Sequence, residues 1–257
     1  MRTRTVFAAL GLSLLAACTI GNSAPKGGGS GDDDTTGDDT AGDDTSTPTP
    51  MISGSVDKTT VSTELGKDEV VTLTVASANG FAGAVTIAPS LETTTGTSIT
   101  DVTVAGPTSL TLTAGGTQTA QYTVHIPTNT SQDSLAANLN LSLTSTAAPA
   151  SATSAITIAN QYTFTYAAGT GATVANHETT GMTVTLKRGA KMHFTNADTM
   201  IHETHGPVIN GTNYHESDSG GQPGATYEVD TIAMPPGTYQ FGCHDHGAGT
   251  YASITME

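Results

Sequence analysis

Short runs of alternating apolar and polar residues dominate the chain from residue 51 onward. Glycine, proline, asparagine and threonine separate these runs, and within 51–160 none of them has the period of a helix. Such alternation predicts β-strands joined by tight turns. The runs that predict strands are 70–75, 84–87, 109–112, 120–126, 139–143, 182–186, 191–195, 225–232, 238–243 and 251–256. The expected fold class is all-β, with two β-sandwiches in succession, the first of about seven strands.

The N-terminus has the layout of an export signal. Arg2 and Arg4 precede an apolar run over 6–17, which is too short to span a bilayer as a helix. The run ends in Leu-Ala-Ala-Cys, which resembles the lipobox of bacterial lipoproteins. The resemblance implies a signal peptide over 1–17, cleavage before Cys18 and acylation of that cysteine. An ordinary signal peptide with a chance cysteine and an uncleaved anchor are the alternatives.

Lipidation implies an exported lipoprotein at the outer membrane or cell surface, facing the periplasm or the exterior. Thr19 stands where an aspartate is associated with inner-membrane retention, which favours the outer membrane. Residues 18–50 are rich in Gly, Asp and Thr and predict a disordered linker that repels itself. A Ca²⁺ site in this linker is disfavoured, because its aspartates lack the ligand order of an EF-hand.

The charge balance limits the partners. Lys and Arg total 8 against 23 Asp and Glu, for a formal net charge of −15. Because so acidic a chain repels a phosphate backbone, nucleic acid is not expected as a partner. Several of the carboxylates belong to the linker, so the acidity identifies no specific partner. The chain is expected to be a monomer.

The two cysteines, Cys18 and Cys243, set a second constraint. If Cys18 carries lipid, no disulfide is possible within the chain, and an exported thiol then needs burial or metal ligation to persist. Seven of the eight histidines lie with this thiol in residues 161–257: His177, His193, His202, His205, His215, His244 and His246. Imidazole and thiolate groups together are typical ligands of transition metals.

Cys243 and His246 stand in a C-x-x-H spacing, so one loop beside a strand end could supply two metal ligands. Two imidazoles and one thiolate in a trigonal plane, with a weak fourth ligand, form a type 1 copper site. The remaining histidine must come from elsewhere in the fold. In such a site the thiolate provides a covalent path for an electron, and a rigid sandwich limits reorganisation when copper changes its oxidation state.

Two stretches resemble the cupredoxin family, the plastocyanin-like blue copper proteins. VTLKRGAKMHFTNADTMIH at 184–202 has the family's order of strand, glycine turn, strand, F-x-N and ligand histidine. PGTYQFGCHDHGAG at 236–249 matches the family's cysteine–histidine segment with a one-residue difference in loop length. The resemblance implies a Greek-key cupredoxin sandwich over 161–257 and one copper ion bound by His202, Cys243 and His246. It also implies single-electron transfer with a redox partner protein.

The end of the ligand loop departs from the family pattern. Thr250 stands where the family usually has an axial methionine, so it is expected to be a weak or absent axial ligand. His205, His215, a water or no ligand are the alternatives for this position, and the site is then an altered type 1 site. The residues that usually flank the ligands are also replaced, at Ile201, Glu203 and Asp245.

Residues 51–160 resemble the Ig-like modules common in bacterial surface proteins, through the stretches ASANGFAGAVTIAPS and SLTLTAGGTQTAQYTV. This resemblance implies a spacer or adhesion module. For the whole chain, copper scavenging, delivery or sensing without electron transfer is the alternative function. Catalysis is disfavoured, because residues 244–246 form a single H-x-H segment where multicopper oxidases need several. HETHG at 202–206 is also one residue short of a zinc-protease motif.

Overall fold

The computed structural model describes residues 47–130, 133–169, 182–216, 221–243 and 250–257, without the side chains of Thr250 and Tyr251. The predicted signal peptide, Cys18, most of the linker and His246 lie outside the described residues. The described residues form seventeen β-strands and no helix, which confirms the expected all-β fold class. Within this part of the chain, no helix has the length and apolar character to cross a membrane.

Nine strands build two sheets in the first half of the described chain. They are β1 (Met51–Val56), β2 (Thr60–Glu64), β3 (Asp68–Ala78), β4 (Gly83–Thr93), β5 (Thr103–Ala105), β6 (Ser109–Leu112), β7 (Thr117–His125), β8 (Leu135–Thr144) and β9 (Ala150–Ala159). One sheet has the strand order β1-β3-β7-β5, and the other has the order β2-β9-β8-β4-β6. Their neighbours pair antiparallel except for β2 and β9, which are parallel.

Burial follows the sequence alternation in the long strands. Val71, Leu73 and Val75 of β3 are fully buried, while the residues between them are partly exposed. The expectation of about seven strands is wrong, because nine are present. β1 and β9 are rich in Ser, Thr, Gly and Ala, which weakens the apolar signal, and β5 is only three residues long.

Eight strands build two further sheets in the second half. They are β10 (Gln161–Tyr166), β11 (Met182–Leu186), β12 (Lys191–Asn196), β13 (Thr204–Ile209), β14 (Thr212–His215), β15 (Thr226–Asp230), β16 (Gly237–Cys243) and β17 (Thr250–Met256). The described strand orders are β10-β12-β15 and β11-β17-β16-β13-β14. β10 with β12 and β11 with β17 are parallel pairs.

The predicted runs match five of these strands but not β10 or the hairpin of β13 and β14. Gly206 and Pro207 lie within β13 and weaken its alternating signal. The polar stretch NGTNYHESDSGG around His215 is typical of a loop, but His215 lies in β14, so a loop interpretation of its position is wrong. Asn210 and Gly211 have φ of 51° and 81°, the left-handed conformations that a tight hairpin turn requires.

A single residue, Asn160, separates β9 from β10. Leu65 N donates to Gln161 O at 3.0 Å, and Glu64 Oε2 accepts hydrogen bonds from Gln161 Nε2 and Thr163 Oγ1. Asn160 Nδ2 donates to the carbonyl of Gly189 at 3.1 Å. These bonds connect the two halves directly, and both belong to one compact unit, Thr47–Glu257.

Aromatic side chains join the two sheets of the second half. Phe194 of β12 stacks on Phe164 of β10 with ring centroids 4.8 Å apart, and on Phe241 of β16 at 5.2 Å. All three rings are buried. Their contacts hold the end of β16 against the opposite sheet, which fixes the position of the cysteine two residues further on.

Candidate metal centre

Cys243 and His202 meet in the interior of the second half. Cys243 is the last residue of β16, and its Cα partner across the sheet is Thr204 at the start of β13. His202 lies two residues before the start of β13, so this pairing brings its imidazole to the thiol. His202 Nδ1 and Cys243 Sγ are 3.8 Å apart, and the two residues are 1% and 2% exposed. Two of the three residues predicted as equatorial ligands therefore lie side by side.

The other ring nitrogen of His202 bonds a buried carboxylate. His202 Nε2 donates to Asp198 Oδ2 at 2.9 Å, and both side chains are enclosed by protein. Asp198 Oδ1 accepts the backbone N–H groups of Gly169 at 2.9 Å and Thr199 at 2.7 Å. Because a carboxylate accepts hydrogen bonds and does not donate them, this arrangement puts the ring proton on Nε2. The lone pair of Nδ1 then faces sulfur.

Tyr166 covers one face of the imidazole. Its ring stacks on that of His202, with centroids 4.7 Å apart and planes 12° apart. Its hydroxyl lies 3.3 Å from Thr204 Oγ1 and donates to the carbonyl of Gly242 at 3.4 Å, so it also contacts both strands that carry the site. The stack restrains the tilt of the imidazole and keeps water from that face.

Asn196 and Gly221 hold the segment that leads to His202. Asn196 Nδ2 donates to the carbonyls of Met200 at 2.7 Å and of Gly221 at 2.6 Å. The Gly221 carbonyl also accepts the His202 N–H at 2.9 Å. Gly221 has a φ of 67°, and a Cβ there would lie 2.4 Å from His202 O. Only glycine fits this close approach between the two backbones.

Two more carboxylates are buried beside the site, those of Glu203 and Glu216. Glu216 accepts the N–H of Thr204 at 3.0 Å and the N–H of Gly221 at 2.6 Å, so it supports the same two segments. Among the described residues that are buried, there is no lysine or arginine.

A metal ion fits between the two facing atoms. Zinc makes bonds of about 2.3 Å to sulfur and about 2.0 Å to nitrogen, and these lengths together exceed the 3.8 Å between Cys243 Sγ and His202 Nδ1, so both atoms could hold one ion. The lone pair of His202 Nδ1 already faces the sulfur, so the imidazole needs no reorientation. The donor set of one thiolate and one imidazole suits copper or zinc.

The remaining predicted ligands are described only in part. His246 lies outside the described residues, and so does His244. The backbone of Thr250 begins β17 and pairs with Gly242, one residue before the cysteine. Within the described ranges, no group of three or more His, Cys, Asp or Glu side chains is arranged to hold a metal. The assignment of His246 and Thr250 stays a prediction.

His205 and His215 form a separate pair across β13 and β14. They are Cα partners, and their rings pack edge to face with centroids 4.8 Å apart. His205 is exposed, unlike His202, and His215 Nδ1 contacts the carbonyl oxygen of Glu216 and lies 4.0 Å from Glu203 Oε1. The described contacts of these two rings are thus with each other and with acidic residues, and their role as a fourth ligand stays a prediction.

The two methionines near the motif differ in burial. Met256 of β17 is buried in the core, whereas the side chain of Met200 is exposed. The carbonyl of Met200 accepts a hydrogen bond from Asn196, so this residue contributes its backbone to the frame of the site.

Sequence reasoning missed Asp198 and Tyr166. Asp198 carries a weak signal, because it follows the F-x-N element and stands four residues before His202 in a segment of small polar residues. Tyr166 carries none, since its strand β10 was not predicted and 36 residues separate it from His202 in the chain. Tyr166 acts through a tertiary contact that the local pattern does not encode.

Comparisons with known proteins give no family for the chain. No protein-family model matches the sequence, and no curated protein sequence matches it. The solved structures that are similar include the periplasmic chaperone SfaE, at 13% identity over 79% of this chain and 98% of that chain, with a TM-score of 0.29. The E. coli chaperone DraB has 14% identity over 79% and 96%, with a TM-score of 0.30. A purple cupredoxin from Nitrosopumilus maritimus has 19% identity over 37% and 98%, with a TM-score of 0.27. TM-scores this low carry no argument about function.

Proposed function

We propose that the second half of the protein is a cupredoxin-like domain that binds one copper ion and transfers single electrons to and from a redox partner protein. The observation that carries the proposal is the buried pair of His202 Nδ1 and Cys243 Sγ, 3.8 Å apart. A lone pair of nitrogen and a thiol facing each other in a water-poor interior are what one soft metal ion needs. His246 is the proposed third ligand, and Thr250 is a weak or absent axial ligand.

The frame of the site suits electron transfer. A copper ion bound there would supply a one-electron couple whose thiolate bond provides the path for the electron. Tyr166 restrains the imidazole of His202, and Asn196 and Gly221 fix the segment that precedes it. Such restraint limits the movement of ligands between the two oxidation states. Copper scavenging, delivery or sensing is the alternative function, and it predicts metal exchange without electron transfer.

Cys243, His202 and Asp198 also stand in the order of a nucleophile, a base and the group that orients the base. A cysteine nucleophile must reach a substrate, whereas Cys243 is 2% exposed and His202 is 1% exposed. Burial of all three groups supports a metal-binding role and a protein without enzymatic activity. Rapid turnover of an ester or peptide by the metal-free protein, lost in Cys243→Ser, would reverse this assignment.

The test of copper binding uses the full chain purified in detergent and titrated with Cu²⁺. An intense visible absorption band from thiolate-to-copper charge transfer is expected, with one equivalent of copper bound. Cys243→Ser should abolish the band. His193→Gln is the matched control, because His193 lies on β12 and bonds Glu228 at the surface. A colourless Cu²⁺ complex, or an unchanged spectrum in Cys243→Ser, would overturn the proposal.

The proposal includes the location of the chain. A lipid on Cys18 would hold the protein at the outer membrane or cell surface, with residues 18–50 as a tether and the first sandwich as a spacer. In cell fractionation the protein should remain with membranes, and Cys18→Ser should release it or leave its precursor unprocessed. A soluble wild-type protein without an N-terminal lipid by mass spectrometry would contradict this part.

A further inference from the structure

We propose that Asp198 is a positioning residue that holds His202 in the one tautomer able to offer Nδ1 to a metal beside Cys243. The inference rests on the proposed function for its consequence, metal binding. The position of the ring proton on His202, in contrast, can be measured in the metal-free protein.

The two carboxylate oxygens of Asp198 accept different hydrogen bonds. Oδ1 accepts two backbone N–H groups, from Gly169 and Thr199, and Oδ2 accepts His202 Nε2–H at 2.9 Å. A neutral imidazole carries one ring proton, which is a donor on one nitrogen and leaves an acceptor on the other. With the proton committed to Nε2, the nitrogen 3.8 Å from Cys243 Sγ is the unprotonated one.

The surroundings keep this arrangement from changing. Tyr166 stacks on the ring with planes 12° apart, so a ring flip that exchanges the two nitrogens would have to break the stack. The His202 N–H bonds the Gly221 carbonyl, and Asp198 N–H bonds Asn196 Oδ1 at 2.9 Å, which fixes both ends of the short loop. A carboxylate that bonds a ligand histidine in this way orients the ring and raises its basicity toward a metal.

Asp198→Asn should reverse the tautomer rather than remove the hydrogen bond. The two backbone N–H groups require an acceptor at the position of Oδ1, so the amide must place its oxygen there. The amide NH₂ then faces His202 Nε2 and donates to it. The ring proton moves to Nδ1, where it points at the sulfur and blocks metal binding.

The experiment measures the protonation of the ring directly. In the metal-free full chain with ¹⁵N-labelled histidine, the wild-type His202 should have a protonated Nε2 and an unprotonated Nδ1 near neutral pH. Asp198→Asn should exchange the two signals. Zn²⁺, which has no redox chemistry, should bind Asp198→Asn about 10–100-fold more weakly than the wild type in a competition with a chelator.

Glu228→Gln is the matched control. Glu228 Oε2 also lies 2.9 Å from a histidine Nε2, that of His193, but at the protein surface. This change should leave the His202 signals and the Zn²⁺ affinity unaltered. A wild-type His202 with its proton on Nδ1, or with both nitrogens protonated, would overturn the inference even if Asp198→Asn does not fold. The expected tautomer in a protein that binds no metal would uphold the role of Asp198 and refute copper binding.

Discussion

The two sandwiches of the described chain have similar architecture and different interiors. In the first half the buried polar residues are Ser77, Thr130 and Ser154, and none of them is ionisable. In the second half the buried set includes a histidine, three carboxylates and a thiol within a few residues of the same strand ends. Burial of such groups is costly unless they are hydrogen-bonded, and Asp198 and Glu216 each accept backbone N–H groups. The first interior is typical of a structural module and the second of a site.

The largest expected effects come from the apolar cores, and they test whether the halves open separately. Phe194→Ala should lower the free energy of unfolding by about 3–5 kcal/mol, and Leu141→Ala in the first half by about 2–5 kcal/mol. Both side chains are almost fully buried. Phe194 contacts Phe241, so its loss should also raise the rate at which native Cys243 reacts with a thiol reagent. Equal labelling rates in both variants would mean that the bonds around Asn160 make the halves unfold as one.

Gly221→Ala should have the next largest effect, confined to the site. At a φ of 67°, alanine pays about 1–2 kcal/mol in backbone strain, and its Cβ would also lie 2.4 Å from His202 O. Gly224→Ala is the control, because its φ is 80° and no atom lies within 4 Å of its added Cβ. Denaturant unfolding should place Gly221→Ala below Gly224→Ala in stability, and only Gly221→Ala should expose Cys243. Equal stability of the two variants would show that the backbone at His202 O can move away from the added Cβ at little cost in free energy.

The smallest effect is expected at the surface of the second half. The Lys191 ammonium donates to Glu228 at 2.6 Å and holds the pKa of that carboxyl below its ordinary value, with His193 as a weaker donor. Because the pKa of Glu228 is lower in the folded state, the pair contributes its full stability above the ordinary glutamate pKa, and this contribution is lost as the pH falls through the lowered folded-state pKa. Because solvent screens the pair, Glu228→Gln should reduce only slightly the fall in the free energy of unfolding that occurs at acidic pH. A large loss of stability in Glu228→Gln at neutral pH would show that this surface ion pair stabilises the second half as much as its buried ionisable residues do.

Part of both halves could be predicted from the sequence. The all-β class follows from alternation, and the meeting of His202 with Cys243 was expected from the resemblance of two stretches to the cupredoxin family. The frame of the site was not predictable in the same way, because Tyr166 and Gly221 reach His202 through tertiary contacts. Among the strands that were not predicted, β1, β9 and β13 have Ala, Ser, Thr, Gly or Pro in place of apolar residues, and these residues carry little periodic signal. Their burial is decided by the sheets they join.

The pairing of β13 with β16 has a kinetic consequence. His202 and Cys243 are 41 residues apart in the chain, so their contact forms only after a non-local strand pairing, which is a slow event in β-proteins. Until that moment the sulfur is open to any oxidant or to the sulfur of a second molecule. Refolding in air should therefore yield disulfide-linked dimers in proportion to protein concentration, and a reductant present only during the first phase should prevent them. The thiol of Cys243 is therefore most susceptible to oxidation while the chain is still folding.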